Sequence, residues 1–408
     1  MTCMRSSWGG HKPASRHFSK SAQMAHALNG LKVVELARIL AGPWAGQTLA
    51  DLGANVIKVE SPEGDDTRKW GPPFIDHDGE QSAAYFHACN RGKRSIIADF
   101  RTEEGLEIVR SLIADADVVV ENFKVGGLAK YGLDYESLST INPRLIYCSI
   151  TGFGQDGPYK DRAGYDFLIQ GMSGIMDLTG EPTGEPQKIG VAFADIFTGL
   201  YSVIAIQAAL TQREATGRGQ HIDMSLFDAM TGVLANQAMN FLATGTEPKR
   251  LGNAHPNIVP YQTFATSDGH IILAAGNDAQ FNRFCSLVGL EELIGDDRFG
   301  TNAARVTNRD QLTDLIQNKT INWCRDDLLA ALETQGIPGG PINTVADVFA
   351  DPQFLARQMK ITPNGIPGVR TPIAMSDAEL SLDRPSPRLG QHTKEILSEL
   401  ATGDKPEE

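Results

Sequence analysis

From residue 31 onward, short β-branched runs alternate with helical stretches, and this alternation constrains the fold more than any other feature. Leu31 to Ala37 reads as a strand, Gly42 to Leu52 as a helix and Asn55 to Glu60 as a second strand. Ser95 to Phe100 is the third strand, Asp117 to Asn122 the fourth and Arg144 to Thr151 the fifth. Thr102-Glu-Glu is an N-terminal signal for a helix to Ala116. The repetition predicts an α/β fold: a Rossmann-like domain with a mostly parallel sheet covered by helices. In such sheets ligands gather at the carboxyl ends of strands, where Glu60, Asn122 and Thr151 sit.

A helix near residues 194–212 leads through Thr216-Gly-Arg-Gly-Gln220 to a sixth strand at His221 and a long helix to about Leu242. Near residue 245 the composition changes. Thr263 to Gly276 reads as a strand pair about Ser267-Asp-Gly269, and helices follow to about Gln335. Gly336-Ile-Pro-Gly-Gly-Pro-Ile-Asn343 marks another loop-rich boundary. The expected division is a large domain over 29–225, a smaller α+β domain over 226–335, and a return to the large domain over 336–408. A chain of 408 residues with 41% hydrophobic content supports two such cores.

The first acidic residue is Glu35, while Arg5, Lys12, Arg16 and Lys20 precede it among serines and histidines. Residues 1–28 therefore read as a mitochondrial transit peptide or disordered leader, which implies the mitochondrial matrix. Arg16-His-Phe-Ser19 has the look of a matrix-protease cleavage site.

A net charge of −13 without a lysine/arginine block argues against nucleic-acid and membrane-surface partners. The five cysteines form no CxxC pair, and no histidine/carboxylate set has metal-ligand spacing. Ala192 to Leu210 is the nearest approach to a membrane span, but Asp195 and Gln207 favour a buried core helix.

Basic and polar residues cluster near strand ends: Arg68; Asn90, Arg91, Lys93 and Arg94; and Asn122, Phe123, Lys124 and Lys130. Cations converging on one sheet edge suit a polyphosphate ligand. Arg38 follows the first strand, placed either to clamp a carboxylate or to pair with a structural acid. His255 lies in a loop able to cap a pocket, or is an ordinary hydrogen-bonded loop histidine. Gly152-Phe-Gly-Gln-Asp-Gly157 is a literal GxGxxG. Pro158 and its place after the fifth strand argue against dinucleotide binding, leaving a loop that lets a ligand approach the backbone. Asp166, in a Gly-Tyr-Asp turn, is a nucleophile if a reactive acyl group reaches it, and otherwise a capping or solvated carboxylate.

These residues together resemble the class III CoA-transferases, the family of formyl-CoA transferase and carnitine CoA-transferase. The matching stretches are Leu40 to Pro43, Asp51 to Glu60, Gly64 to Arg68, Asn90 to Ser95, Glu121-Asn-Phe123, Gly164-Tyr-Asp166, Thr216 to Gln220 and Leu389 to Thr393. Within the family, Gly252 to Tyr261 and Ala275 to Phe281 look most like the mitochondrial succinyl-CoA:glutarate subfamily, whereas Gly276-Asn-Asp-Ala departs from the glycine-rich loop of the formyl-CoA enzymes.

The resemblance implies an interlocked, ring-like homodimer with the active site between large and small domains. Its substrates would be an acyl-CoA and a free carboxylic acid, with no tightly bound cofactor and no metal. Asp166 would be the nucleophile, passing through an aspartyl anhydride and an aspartyl-CoA thioester. Lys124 and Lys130 would meet CoA. Arg38, Tyr165, His255, Gly276 and Asn277 would meet the acyl or acid substrate, with backbone N–H groups near Gly276 on the oxyanion. Succinyl-CoA would be the donor, and glutarate or 3-hydroxy-3-methylglutarate the acceptor. Two alternatives stand beside this. An α-methylacyl-CoA racemase of the same superfamily would need histidine where Tyr165 stands, and no histidine occurs between His87 and His221. A non-catalytic CoA-binding protein would have no need of Asp166.

Overall fold

The computed structural model describes residues 26–402. Six strands, β1 (Lys32–Glu35), β2 (Asn55–Glu60), β3 (Arg94–Ile97), β4 (Val118–Glu121), β5 (Ile146–Thr151) and β6 (His221–Ser225), pair in the order β3-β2-β1-β4-β5-β6. Every neighbouring pair is parallel. The strands are valine- and isoleucine-rich because both of their faces are covered. Val33, Val118, Val120, Ile146 and Cys148 enter one apolar core, and Val34, Ile57, Val119 and Tyr147 enter the other.

The chain builds outward from β1 through β2 to β3, then crosses back to place β4 on the opposite side of β1. The chain after β1 packs on one face of the sheet through Ala41, Ala45 and Leu49, and the chain after β4 on the other through Leu128, Leu133 and Leu138, which opens a crevice at the strands' carboxyl ends.

Helix α1 (Ala41–Asp51) follows β1, and α2 (Glu103–Ala114) follows β3 with the Thr102 hydroxyl accepting from Gly105 N. Two further helices, α3 (Asp166–Met172) and α4 (Phe193–Thr216), follow β5, and α5 (Leu226–Gly232) follows β6. Helices α1 and α4 touch closely at Gly199, where a Cβ would lie 2.7 Å from the Ala41 carbonyl oxygen.

By length and composition α4 could cross a membrane. Ala194, Val203, Ile206 and Ala209 bury one of its faces in the sheet's core, as expected of a core helix. The other face was not expected: Leu200, Tyr201 and Ile204 are 39%, 43% and 61% exposed.

The described chain divides into two compact units, a smaller one of 177–187 and 236–351 and a larger one of the remainder. In the smaller unit β7 (Tyr261–Ala265), β8 (His270–Ala274) and β9 (Gly339–Pro341) form an antiparallel sheet in the order β9-β8-β7. It shares a core with α6 (Asp278–Val288), α7 (Arg309–Thr320) and α8 (Arg325–Thr334) through Phe264, Ile271, Phe284, Leu312 and Leu328.

These edges differ from 226 and 335 for two physical reasons. Leu226 and Met230 of α5 pack into the large sheet's core, and the chain beyond 335 supplies β9 as a partner for β8. Most of the expected leader, residues 1–25, lies outside the described residues.

Candidate active site

Asp166 is positioned by a backbone crossing. After β5 the chain makes a loop whose return passes directly over its start. A Cβ on Gly152 would lie 2.5 Å from Gly164 Cα, and one on Gly164 would lie 2.3 Å from Gly152 Cα. At Gly152 the close approach is therefore made by the chain itself, whereas nothing lies within 4 Å of a Cβ on Gly157. Thr151 Oγ1 accepts from Gly154 N at 2.9 Å and tightens the turn. Tyr165 is extended, and Asp166 is the first residue of α3.

Both carboxylate oxygens are held. Gln170 Nε2 donates to Oδ2 at 2.8 Å, and the backbone N–H of Ala194, in the first turn of α4, donates to Oδ1 at 2.8 Å. Gln170 is fully buried, and its own carbonyl oxygen accepts from Ile189 N at 2.9 Å, so its amide cannot turn away. Two neutral donors fix the carboxylate plane and leave lone pairs free for attack. On either side of half-buried Asp166, Tyr165 and Phe167 are 64% and 61% exposed.

A second carboxyl stands nearby. Burial, and then the charge of Asp166, push Asp195 up to about 7. The Tyr85 phenol is pushed up to about 12 by burial and by the charges of Asp195 and Asp166, among others. Its ring packs edge-on to Trp70 at 5.4 Å.

Most of the cations singled out in the sequence are internal. The Arg68 guanidinium makes two bonds to Glu60, through Nε at 2.8 Å and Nη2 at 2.7 Å, and stacks on Phe86. Arg91 pairs with Asp51 in the same way. Lys93 Nζ lies between Glu35, the Asn90 side chain and the Pro43 carbonyl. Arg94 bonds Glu395 and Glu399 of α9 (Thr393–Thr402). All four cations and Asn90 are buried and matched by internal partners, so they support the sheet instead of facing a phosphate. The sequence shows the cations at strand ends but not the acids that meet them from other elements.

Four cations line the crevice, of which Lys58 is buried and paired with Glu35 and Asp65, leaving Arg38, Arg101 and Lys130 to face it. A cavity of about 380 Å³ at the ends of β1, β2, β3 and β4 is lined by Arg38, Arg101, Lys130, Phe100, Phe123 and Tyr131. Acids line it too: Arg38 pairs with Asp66 at 3.1 Å, and Arg101 with Asp99 at 2.8 Å. Lys130 Nζ sits 4.8 Å from the Tyr131 ring centre. Asn122 ties the two loops together, accepting from Arg38 N and donating to the Arg38 carbonyl.

Lys124 lines a separate cavity of about 130 Å³ with Glu121, Ser149 and His221. Burial pushes Glu121 up to about 7, against the opposing hydrogen bond from Ser149.

In the smaller unit, Gly276 N donates to Gln280 Oε1 at 2.8 Å, and Asn277 Oδ1 accepts from Gln280 N at 2.9 Å. Both groups cap α6, which takes the Gly276 N–H away from the expected oxyanion role. His255 Nδ1 accepts from Asn257 N at 3.1 Å and its ring packs on Tyr261. Burial, with Arg309 nearby, lowers its pKa. Among the described residues no group of three or more His, Cys, Asp or Glu is placed to hold a metal.

Sequence reasoning missed Gln170, Ala194, Asp195, Tyr85 and Arg101. The spacing of Gln170 four residues after Asp166 was a usable signal once α3 was placed. Arg101 stood just beyond the third strand. Ala194 contributes a backbone N–H, which no side-chain pattern reveals.

The chain matches CoA-transferase family III over residues 28–393. It is 59% identical over 383 residues to the succinate–glutarate CoA-transferase of Agrobacterium fabrum, spanning 92% of this chain and 96% of that protein. It is 44% identical to the succinyl-CoA:glutarate CoA-transferase of Homo sapiens, spanning 92% of this chain and 86% of the human protein. The crystal structure of a CAIB/BAIF family protein from Brucella suis superposes with a TM-score of 0.84 at 72% identity, covering 93% of this chain and all (100%) of that one.

Proposed function

The chain belongs to CoA-transferase family III, and from that premise we propose that Asp166 carries CoA transfer from succinyl-CoA to glutarate or 3-hydroxy-3-methylglutarate. As a class III CoA-transferase it takes acyl-CoA as substrate and needs no tightly bound cofactor. The observation that carries the reading is the Asp166 carboxylate, aimed by Gln170 and the Ala194 N–H at a half-exposed position.

In this reading an Asp166 oxygen attacks the thioester carbonyl. The C–S bond breaks, CoA leaves and a mixed anhydride remains. The CoA sulfur then attacks the aspartyl carbonyl, succinate departs and an aspartyl-CoA thioester forms. The acceptor carboxylate attacks that carbonyl, releasing CoA and forming a second anhydride. CoA finally attacks the acceptor's acyl carbon, which yields the new acyl-CoA and regenerates Asp166. Anhydride and thioester have similar transfer potential, so each step involves a small free-energy change.

The cavity at the β1/β4 switch is our choice for the phosphates of CoA, with Arg38, Arg101 and Lys130 as donors and Phe100, Phe123 and Tyr131 offering aromatic surface. Exposed ion pairs such as Arg101–Asp99 are worth little individually, so a polyphosphate's charge-assisted bonds can replace them.

A homodimer is part of the proposal. The exposed aromatics beside Asp166 and the exposed face of α4 need cover, and cover near Asp166 would keep water from the anhydride. Location in the mitochondrial matrix is likewise proposed, on the acid-poor leader alone. A reporter carrying residues 1–28 that stays in the cytosol of a eukaryotic cell removes that support.

The test of function is a mass-spectrometric exchange assay with succinyl-CoA and a panel of free acids. Glutaryl-CoA formed with equimolar succinate is the expected result. Absence of exchange with every acid, alongside α-proton washout from a branched acyl-CoA in deuterated water, would overturn it in favour of racemisation.

A further inference from the structure

We propose that the left-handed turn at Ile39, gripped by Asn122 and Asp65, is a positioning device that aims the Arg38 guanidinium into the crevice at the ends of β1 and β4. This rests on the reading of that crevice as the site for the phosphates of CoA, and it names what holds one of the donors there.

Ile39 has a φ of +71°. That is left-handed space, where a β-branched side chain crowds its own backbone. Among the described residues, the other non-glycine positive φ values fall on Asp78, Ala235, Gln358 and Asn364, none of them β-branched. Entry into α1 does not explain an isoleucine here. Leu40 precedes that helix without a side-chain cap, and a glycine at 39 would make the same turn without strain. Strain of this kind persists only where the surroundings outweigh it.

Around Ile39 they do so through the main chain. Ala37 N donates to the Val120 carbonyl at 3.2 Å, and the Ala37 carbonyl accepts from Lys58 Nζ at 2.9 Å. Arg38 N donates to Asn122 Oδ1 at 2.9 Å, and Asn122 Nδ2 donates to the Arg38 carbonyl at 2.7 Å. Ile39 N donates to the two Asp65 oxygens at 3.3 and 3.4 Å, and the Cys89 thiol donates to the Ile39 carbonyl at 3.6 Å. Asp65 cannot follow a relaxing chain, because it is buried and fixed by Lys58 Nζ at 2.9 Å, Thr67 N at 3.0 Å and Thr67 Oγ1 at 2.8 Å.

The outcome is an arginine with a fixed main chain and a half-exposed side chain, paired with exposed Asp66 and 5.7 Å from the Phe123 ring centre. Loss of the grip lets Ile39 relax toward negative φ and swings Arg38 off the cavity wall. A donor that is correctly placed only part of the time lowers the apparent affinity by that fraction. Asn122 is not among the residues lining the cavity, so its effect on a ligand there has to pass through Arg38.

The test is calorimetric titration of CoA into the full-length protein, with denaturant titration beside it. Arg38→Ala should weaken CoA binding about 10-fold. Asn122→Ala should weaken it about 5- to 10-fold, but by no more than about 2-fold when Arg38 is already alanine, because both changes remove the same contact. Adding Ile39→Gly to Asn122→Ala should bring the affinity back to within about 2- to 3-fold of the unsubstituted protein, since glycine takes the left-handed turn unaided. Ile39→Gly alone should raise the denaturation midpoint.

An Ile39→Gly midpoint that is equal or lower removes the strain and overturns the proposal, a result that requires no Asn122 variant to fold. So does an Asn122→Ala protein that binds CoA unaltered, adds its full loss to that of Arg38→Ala, or is not rescued by glycine. Arg38→Ala protein that binds CoA as before refutes the crevice reading and this inference with it, whereas the other failures leave that reading standing.

Discussion

An aspartate with each oxygen held by a neutral donor differs from a surface aspartate in where its remaining lone pairs point. For Asp166 the donors are Gln170 and the Ala194 N–H. Asp166→Asn keeps the shape and removes the proposed nucleophile, so exchange should fall by at least about 10³-fold with the melting temperature nearly unchanged. Gln170→Ala frees one oxygen, and kcat should fall about 10- to 10²-fold with little change in KM for acyl-CoA. Steady-state exchange kinetics check both. Full activity in Asp166→Asn would remove the residue from the chemistry. The arginines separate by the same logic. Arg101→Ala should raise KM for acyl-CoA and leave stability nearly unchanged, because Arg101 is exposed on the cavity wall. Arg91→Ala strands buried Asp51 and should cost about 3–5 kcal/mol in denaturant titration. Equal destabilisation by the two variants would contradict this division. Arg91 and Arg101 are both arginines beside strands in the sequence. Only the position of Asp51 in space, on the buried face of α1, distinguishes a structural cation from a ligand-facing one.

At the scale of elements, the loop between β5 and α3 links the sheet to the chemistry. The Gly152–Gly164 crossing allows no side chain, because the obstacle is backbone. Gly164→Ala should displace Tyr165 and Asp166, lowering kcat about 10²-fold in a protein that still folds. Gly157→Ala is the control: its φ of +80° strains an alanine, but nothing lies within 4 Å, so it should cost about 1–2 kcal/mol and leave kcat alone. If both variants behave alike, the crossing does not set the position of Asp166. The sheet was readable because its strands carry β-branched runs, and α2 because Thr102 caps it. By contrast β9 is Gly339-Gly-Pro341, which has no strand propensity and pairs only because β8 presents an edge to it. The GxGxxG string shows the same limit. Its glycines are real constraints, but what approaches the backbone is a residue twelve positions on from Gly152, which local pattern cannot disclose.

At the scale of the whole molecule, the sequence disclosed α4 as a long apolar helix without showing that its outer face would lack a partner in the monomer. Leu200, Tyr201 and Ile204 remain exposed there, as do Tyr165, Phe167 and Leu168 of the same unit. Full burial of such side chains contributes about 1.5–3 kcal/mol each, enough for a handful to sustain an interface if the surrounding area reaches roughly 1,200–2,000 Å². A second copy of the chain is the occupant we propose. Light scattering after gel filtration should give twice the 44.1 kDa chain mass at micromolar concentration. Ile204→Asp, a charge placed on a 61% exposed apolar position, should move the protein toward monomer without unfolding the unit, since that side chain supports neither core. The consequence reaches the chemistry. If the partner's cover keeps water from the anhydride, the Ile204→Asp protein should hydrolyse succinyl-CoA to succinate and CoA faster relative to transfer. A monomeric variant that transfers as efficiently as the unsubstituted protein, with no added hydrolysis, would separate assembly from catalysis and leave Asp166 protected by its own unit.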